Sequence, residues 1–305
     1  MADPLADLPP LREVLAQHEI RATKTLGQNF LLDLNLTRKI ARAGGPLAGQ
    51  TVLEIGPGPG GLTRALLAEG AAHVVAVERD RRCLAALAEL AAAVPGRLTL
   101  VEADALEIDE YALSPRPSRI IANLPYNIST PLLFKWLDQL DLYESLTLMF
   151  QKEVAQRIIA QPGGKAYGRL SVMVQWRCRA AALFDLPPRA FTPAPKVTST
   201  VIGLQPRGVP LAPADADRLS AMVAAAFGQR RKMLRSSLRQ ISSDPVGLLQ
   251  AAGLEPTLRA ENLSVEQFCA LARAADQIRH VIGALREQID FESAERLPQG
   301  LPLGG

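Results

Sequence analysis

Thr51-Val-Leu-Glu-Ile-Gly-Pro-Gly-Pro-Gly60 reads as a short apolar strand, Thr51–Ile55, that runs into a glycine turn and then into the helical pattern Leu62–Glu69. Glycines let the backbone turn sharply and approach a ligand closely. The helix that follows presents unpaired N–H groups at its start. Such a turn can hold a dinucleotide or the amino-acid end of S-adenosylmethionine. The spacing here is E-x-G-x-G-x-G, not the G-x-G-x-x-G dinucleotide fingerprint. Two prolines stiffen the turn.

Outward from this turn, apolar β-branched runs alternate with helical patterns. His73–Glu78 is a second strand, followed by an Ala/Leu-rich helix from Asp80 to about Ala93. Leu98–Val101 and Arg119–Ala122 read as the third and fourth strands, Leu132–Leu137 as a helix, and Leu146–Phe150 as the fifth strand. This order predicts a parallel sheet covered by helices on both faces. Stretches around Leu170–Phe184 and Val197–Leu204 read as strands with no helix between them, joined by the loop Pro187–Lys196. They are expected to form an antiparallel pair at the sheet edge. Pro206–Pro213 resembles a linker, and beyond it only helical patterns remain, at Arg218–Phe227, Arg231–Arg239 and Val265–His280. The expected fold is therefore α/β, Rossmann-like, over 1–205. A small all-helical domain is expected over 206–285, and a disordered tail over 286–305.

Hydrophobic residues make up 48% of the 305 residues and charged ones 21%, so a sizeable core is expected. The formal net charge of +3 permits an acidic partner without requiring one. Cys83, Cys178 and Cys269 are far apart and form no CxxC pair, so neither a zinc site nor a disulfide framework is expected. No metal is expected. The first ten residues lack signal-peptide character, and no apolar run approaches the ~20 residues a membrane span needs. A cytoplasmic protein with no membrane partner is expected.

Several polar residues stand at strand ends beside the glycine turn. Glu78 closes the second strand, where a carboxylate can accept ribose hydroxyls. Asp104 follows the third strand and is placed to accept from an adenine amine; capping the next turn is its simpler use. The most specific signal is Asn123-Leu124-Pro125-Tyr126 at the end of the fourth strand. An aromatic amine is a poor nucleophile because its lone pair is delocalised into the ring. The Asn123 side-chain oxygen and a following backbone carbonyl can accept its two N–H bonds. That favours a pyramidal nitrogen whose lone pair faces a sulfonium methyl. Pro125 constrains the carbonyl, and Tyr126 offers a stacking face. No strong base is needed, because the methylated ammonium loses its proton readily.

With these residues in hand, the chain resembles the ribosomal RNA adenine dimethyltransferase family from roughly Thr23 to His280. The resemblance rests on Lys24-Thr-Leu-Gly-Gln-Asn-Phe-Leu31, Glu54–Gly60 and Asn123–Thr130 (NLPYNIST). Gln151-Lys-Glu-Val, Ala166-Tyr-Gly-Arg-Leu-Ser-Val, Phe191-Thr-Pro-Ala-Pro-Lys-Val and Gln229-Arg-Arg-Lys extend it. It implies S-adenosylmethionine as cofactor, with Asn29, Leu31, Gly56, Glu78, Asp104 and Asn123 as its contacts. Asn123, Leu124, Pro125 and Tyr126 would form the catalytic set. It also implies that Phe191 sandwiches a flipped adenine against Tyr126. The implied reaction is N6,N6-dimethylation of two adjacent adenines near the 3′ end of small-subunit ribosomal RNA, within a maturing subunit, by a monomer. The tail after Arg286 departs from the family pattern.

Gln151–Gln205 holds eight Lys/Arg against two acids, and Leu219–Ser243 holds five basic residues and no acid. Two such segments flanking the target pocket fit a phosphate-tracking surface. Arg231 and Arg235 would share one helix face, as would Arg235 and Arg239. Three alternatives stand beside this reading: a related large-subunit rRNA methyltransferase, an RNA-binding factor that has lost activity, and an NAD-dependent oxidoreductase. NLPYNIST with FTPAPKV argues against the first, the intact NLPY and glycine turn against the second, and the glycine spacing against the third.

Overall fold

The computed structural model describes residues 5–278. The described residues divide into two compact units, 5–160 with 177–209, and 161–176 with 210–278. The tail expected over 286–305 lies outside the described residues, as does the end of the expected helical domain.

The first unit opens with α1 (Leu11–Gln17), the two-residue strand β1 (Phe30–Leu31) and α2 (Leu34–Ala43). Next come β2 (Thr51–Ile55), α3 (Gly61–Ala68), β3 (His73–Glu78), α4 (Arg81–Ala93) and β4 (Leu98–Glu102). β5 (Arg119–Ala122), α5 (Ser129–Asp138), β6 (Ser145–Gln151) and α6 (Lys152–Ile159) follow. After α7 (Arg169–Arg177), the unit is completed by β7 (Cys178–Leu186), β8 (Phe191–Thr192) and β9 (Ser199–Pro206).

Seven strands form one sheet in the order β4-β3-β2-β5-β6-β9-β7, and β1 pairs with β8 separately. β2 to β6 run parallel, while β9 is antiparallel to both β6 and β7. β2 and β3 lie inside the sheet and are buried along nearly their whole length, which is why they read as continuous apolar runs. The chain leaves β2 toward β3 and β4, then returns to β5 on the other side of β2. The order therefore reverses between β2 and β5, and the carboxyl ends of those strands open a crevice where ligands bind in such sheets. The glycine turn follows β2 and the NLPY segment follows β5, so both reach that crevice.

Val201 and Ile202 of β9 are fully buried, whereas β7 is an exposed edge with a register shift between Ala182 and Phe184. A bulge of this kind blunts an edge against further pairing.

The strand expected over Leu170–Phe184 is corrected: its first half is helix α7. Leu170, Ser171, Val172, Met173, Val174 and Trp176 are all buried. A helix buried on nearly every side shows little amphipathic period, and its β-branched residues then imitate a strand. The Gly168 N–H donates to Ser171 Oγ at 3.1 Å and marks the helix start.

The second unit also holds α8 (Ala216–Gly228), α9 (Leu234–Ser237), α10 (Pro245–Ala251) and helical residues 265–278. Phe227 packs between Tyr167 and Phe268, with ring centroids 6.0 and 5.6 Å apart. The helix expected over Arg231–Arg239 begins only at Leu234. Met233 is extended and bridges Arg259, and the Leu234 N–H donates to the Leu258 carbonyl at 2.8 Å. Arg231 thus precedes the helix and does not share its face with Arg235. Arg239 falls in a following 3-10 turn. Arg230 pairs with Glu261 at 3.2 Å, an acid distant in sequence. Arg231, Lys232, Arg235 and Arg239 are exposed.

Candidate active site

A cleft of about 950 Å³, counting its open mouth, lies at the carboxyl ends of β2 to β5. Its floor is the glycine turn, and residues 25–31 border it from the N-terminal side. Gly58 has φ +57, and a Cβ there would lie 2.9 Å from the Phe30 ring. A Cβ on Gly61 would meet the Leu31 carbonyl oxygen at 2.6 Å. The turn is therefore closely backed on its protein side, and its ligand side is bare backbone.

Glu78 is 6% exposed, and its carboxylate is already held by three backbone donors. Oε1 accepts from the N–H groups of Arg79 and Asp80, both at 2.9 Å, and Oε2 accepts from Gly58 at 3.1 Å. A carboxylate offers about four acceptor positions, so one remains for a ligand hydroxyl, on Oε2. Burial pushes its carboxyl up, and the three amides work against that shift. Asp104 also borders the cleft. It accepts from Leu106 N–H at 3.0 Å and from Arg79 Nη1 at 2.8 Å, so the turn-capping use of this acid exists alongside its place in the cleft.

Asn123 Nδ2 donates to the Asn29 carbonyl at 3.2 Å. That bond fixes which way the amide faces and leaves Oδ1 with no hydrogen bond among the described residues. Asn29 acts here through its backbone, while its side chain donates to the Gly27 carbonyl at 3.3 Å. Leu124 is 2% exposed and anchors the loop. The Pro125 ring sits where a Cβ on Gly56 would come within 3.3 Å, so the two turns abut. Tyr126 lines the cleft, and its hydroxyl is 2.6 Å from Ser199 Oγ on β9. Burial raises the phenol's pKa and the Ser199 bond lowers it, with burial the larger effect.

The structure thus brings Asn29, Leu31, Gly56, Glu78, Asp104, Asn123, Leu124, Pro125 and Tyr126 to one cleft. Phe191 is not among its lining residues. It is 4% exposed, in register with Leu31 across β1 and β8, and belongs to the apolar cluster around Leu31, Ile121 and Val201. Three contributors escaped the sequence reading. Ser199 holds Tyr126. Gln28 donates to Asp80 Oδ2 at 2.9 Å, pinning the bordering segment to the start of α4. Arg82 holds the Asp80 carboxyl down to about 2 and also donates to Thr23 Oγ1 at 3.1 Å. The Gln28–Asp80, Arg82–Thr23 and Tyr126–Ser199 partners lie 52 to 73 residues apart and leave no local pattern to read.

The bare turn, the acceptors at the ends of β3 and β4, and the open Asn123 oxygen fit an adenosine-bearing methyl donor beside an amine. Comparison with known proteins agrees. The family model for ribosomal RNA adenine dimethylase matches residues 19–277. The chain belongs to the ribosomal RNA adenine dimethylase family. Curated relatives called ribosomal RNA small subunit methyltransferase A include that of Rhodospirillum rubrum, 61% identical over 88% of this chain and 93% of the relative. That of Paracoccus denitrificans is 61% identical over 87% and 95%. A dimethyladenosine transferase from Plasmodium falciparum superposes with a TM-score of 0.66 at 25% identity, covering 78% of this chain and 94% of that one. The 23S rRNA methyltransferase ErmE gives 0.63 at 28%, covering 81% and 100%. The family fold, a Rossmann-like methyltransferase unit joined to a helical part, is the one described above. Among the described residues no helix is long and apolar enough to cross a membrane.

Proposed function

We propose that this protein dimethylates the N6 amine of two adjacent adenines near the 3′ end of small-subunit ribosomal RNA, using S-adenosylmethionine, while the subunit matures. The observation that carries the reading is Asn123, whose amide is oriented by Asn29 so that its acceptor oxygen is open beside the glycine turn. The high identity to proteins named for the small subunit supports that substrate over the large one.

S-adenosylmethionine supplies the methyl group from its sulfonium sulfur. Gly56 and Gly58 leave space for its amino-acid end, Glu78 accepts a ribose hydroxyl, and Asp104 receives the adenine edge. Asn123 Oδ1 and a carbonyl of the following loop accept the two N–H bonds of the target amine. Its lone pair is thereby directed out of the ring plane. Tyr126, held by Ser199, offers its ring to an adenine extruded from an RNA loop. The methylated ammonium is acidic enough to lose its proton to water. Exposed Arg231, Lys232, Arg235 and Arg239 serve as phosphate contacts that position the RNA without reading its bases.

Mass mapping of methylated adenines on ribosomal RNA from cells with and without the protein tests this directly. Loss of two adjacent dimethyladenines from small-subunit RNA is expected. Loss confined to large-subunit RNA would overturn the substrate assignment.

A further inference from the structure

Glu54 lines the cleft, yet neither base positioning nor ribose binding uses it. It is 1% exposed. Oε2 accepts from Thr63 Oγ1 of α3 at 2.7 Å, and Oε1 has no hydrogen bond among the described residues. Among the described residues no cation is paired with it. Arg64, beside Thr63, donates instead to the Pro9 carbonyl at 2.6 Å. Arg79 of the cleft is engaged with Asp104 at 2.8 Å. From β3 the group facing it is Glu78, a like charge, and the loop after β5 contributes the neutral Asn123. Burial, aided by Glu78, pushes the Glu54 carboxyl up to about 8. Glu78 has three backbone donors favouring its charged form, and Glu54 has none among the described residues. An approaching positive charge therefore has its largest effect on Glu54.

We propose that Glu54 gives the cleft its preference for charge: it releases a proton when the cationic methyl donor binds and regains one when the neutral product takes its place. This rests on the reading of the cleft as the S-adenosylmethionine site. The donor carries a sulfonium, an ammonium and a carboxylate, for a net charge of +1; S-adenosylhomocysteine carries a thioether and a net charge of zero. Donor binding breaks the Glu54 O–H bond, sends the proton to water and leaves a carboxylate facing a cation. Methyl transfer removes the sulfonium charge, and water returns a proton to the same oxygen. Over a cycle Glu54 is unchanged, while the donor is held more tightly than the product it becomes.

Titration calorimetry on the full chain tests this with S-adenosylmethionine and S-adenosylhomocysteine, each in two buffers of different ionisation enthalpy. With the free carboxyl at about 8, the donor should release about 0.9 proton at pH 7. Its affinity should rise about three- to tenfold from pH 6.5 to 7.5. The product should release close to none and change less than about twofold. Glu54→Gln keeps an acceptor for Thr63 and imitates the protonated acid. It should bind the product as wild type does, and bind the donor without proton release or pH dependence. Equal proton release by donor and product in the wild type would overturn the proposal, as would a pH dependence that survives Glu54→Gln. Failure of the wild type to bind either ligand at millimolar concentration would instead remove the cofactor reading, and the proposal with it.

Discussion

Removing the Glu78 carboxylate by Glu78→Ala separates its anchoring of the glycine turn from its proposed ribose contact. The side chain accepts from Gly58, Arg79 and Asp80 at 3.1, 2.9 and 2.9 Å. Hydrogen bonds to a charged partner contribute ~1.5–3 kcal/mol each when buried. Three of them would cost more than this fold tolerates, but the truncated site opens onto the cleft and water can replace part of the loss. A net destabilisation of about 2–4 kcal/mol follows, or roughly 4–16 °C in melting temperature for a unit of this size. Cofactor binding loses one further bond of the same kind, to the ribose hydroxyl on Oε2. That weakens the dissociation constant about 10- to 150-fold. The Gly58 amide, released from Glu78, also frees the turn and adds to the loss. The assay is calorimetry with S-adenosylhomocysteine at 20 °C, where the variant remains folded, paired with thermal melts of the empty protein. A melting temperature that falls while the dissociation constant stays within about twofold would refute the ribose assignment. Glu78 would then be only the anchor of the glycine turn.

Asn123→Ala should slow single-turnover methylation by ~10²–10³-fold, with a smaller loss of cofactor affinity; a rate within about threefold of wild type would remove Asn123 from the chemistry. Ser199→Ala leaves the Tyr126 hydroxyl without its partner and should cost about 1 kcal/mol, seen as roughly fivefold slower transfer at saturating subunit. Phe191→Ala should lower stability by ~3–5 kcal/mol, as expected of a core aromatic. If the variant melts like the wild type but transfers more than tenfold more slowly, Phe191 faces the base and the packing account fails. Neutralising Arg231 and Arg235 to Gln should flatten the log–log salt dependence of subunit binding by roughly 0.7–0.9 for each lost phosphate contact. An unchanged slope would leave both residues as solvated surface.

The residues legible from sequence are those whose meaning is local. The glycine turn and NLPY each follow a buried strand, and the reversal of strand order brings the two turns together. Glu78, Asp104 and Tyr126 came with them, while Asn29 was implied only by the family resemblance. The Asn123–Asn29 and Tyr126–Ser199 bonds were invisible because they join distant segments. α7 was misread because burial on nearly all sides leaves little helical period. The helix expected from Arg231 was misplaced because Met233 bridges Arg259, a pairing no neighbouring residue announces. α2 and α10 went unread, although Asp33 accepts from Asn35 N–H at 2.8 Å and Asp244 accepts from Gly247 N–H at 2.9 Å with Pro245 next. Glu54 stood inside the quoted motif, but its lack of a counter-charge needs three dimensions to see.

The strand β1, which carries Phe30 and Leu31 at the border of the cleft, pairs with Phe191 and Thr192 near the far end of the first unit. During synthesis the chain emerges from its amino end, at about 5–20 residues per second. The segment bordering the cleft is thus made well before its pairing partner, and must wait for some 160 residues until that partner exists. A nascent chain that has produced the glycine turn, Glu78 and NLPY already holds most of the groups that line the cleft, but not the pairing that secures their edge. Completion of the binding cleft is in this way tied to near-completion of the first unit, and a fragment ending before Phe191 would carry the motifs without the strand that closes them.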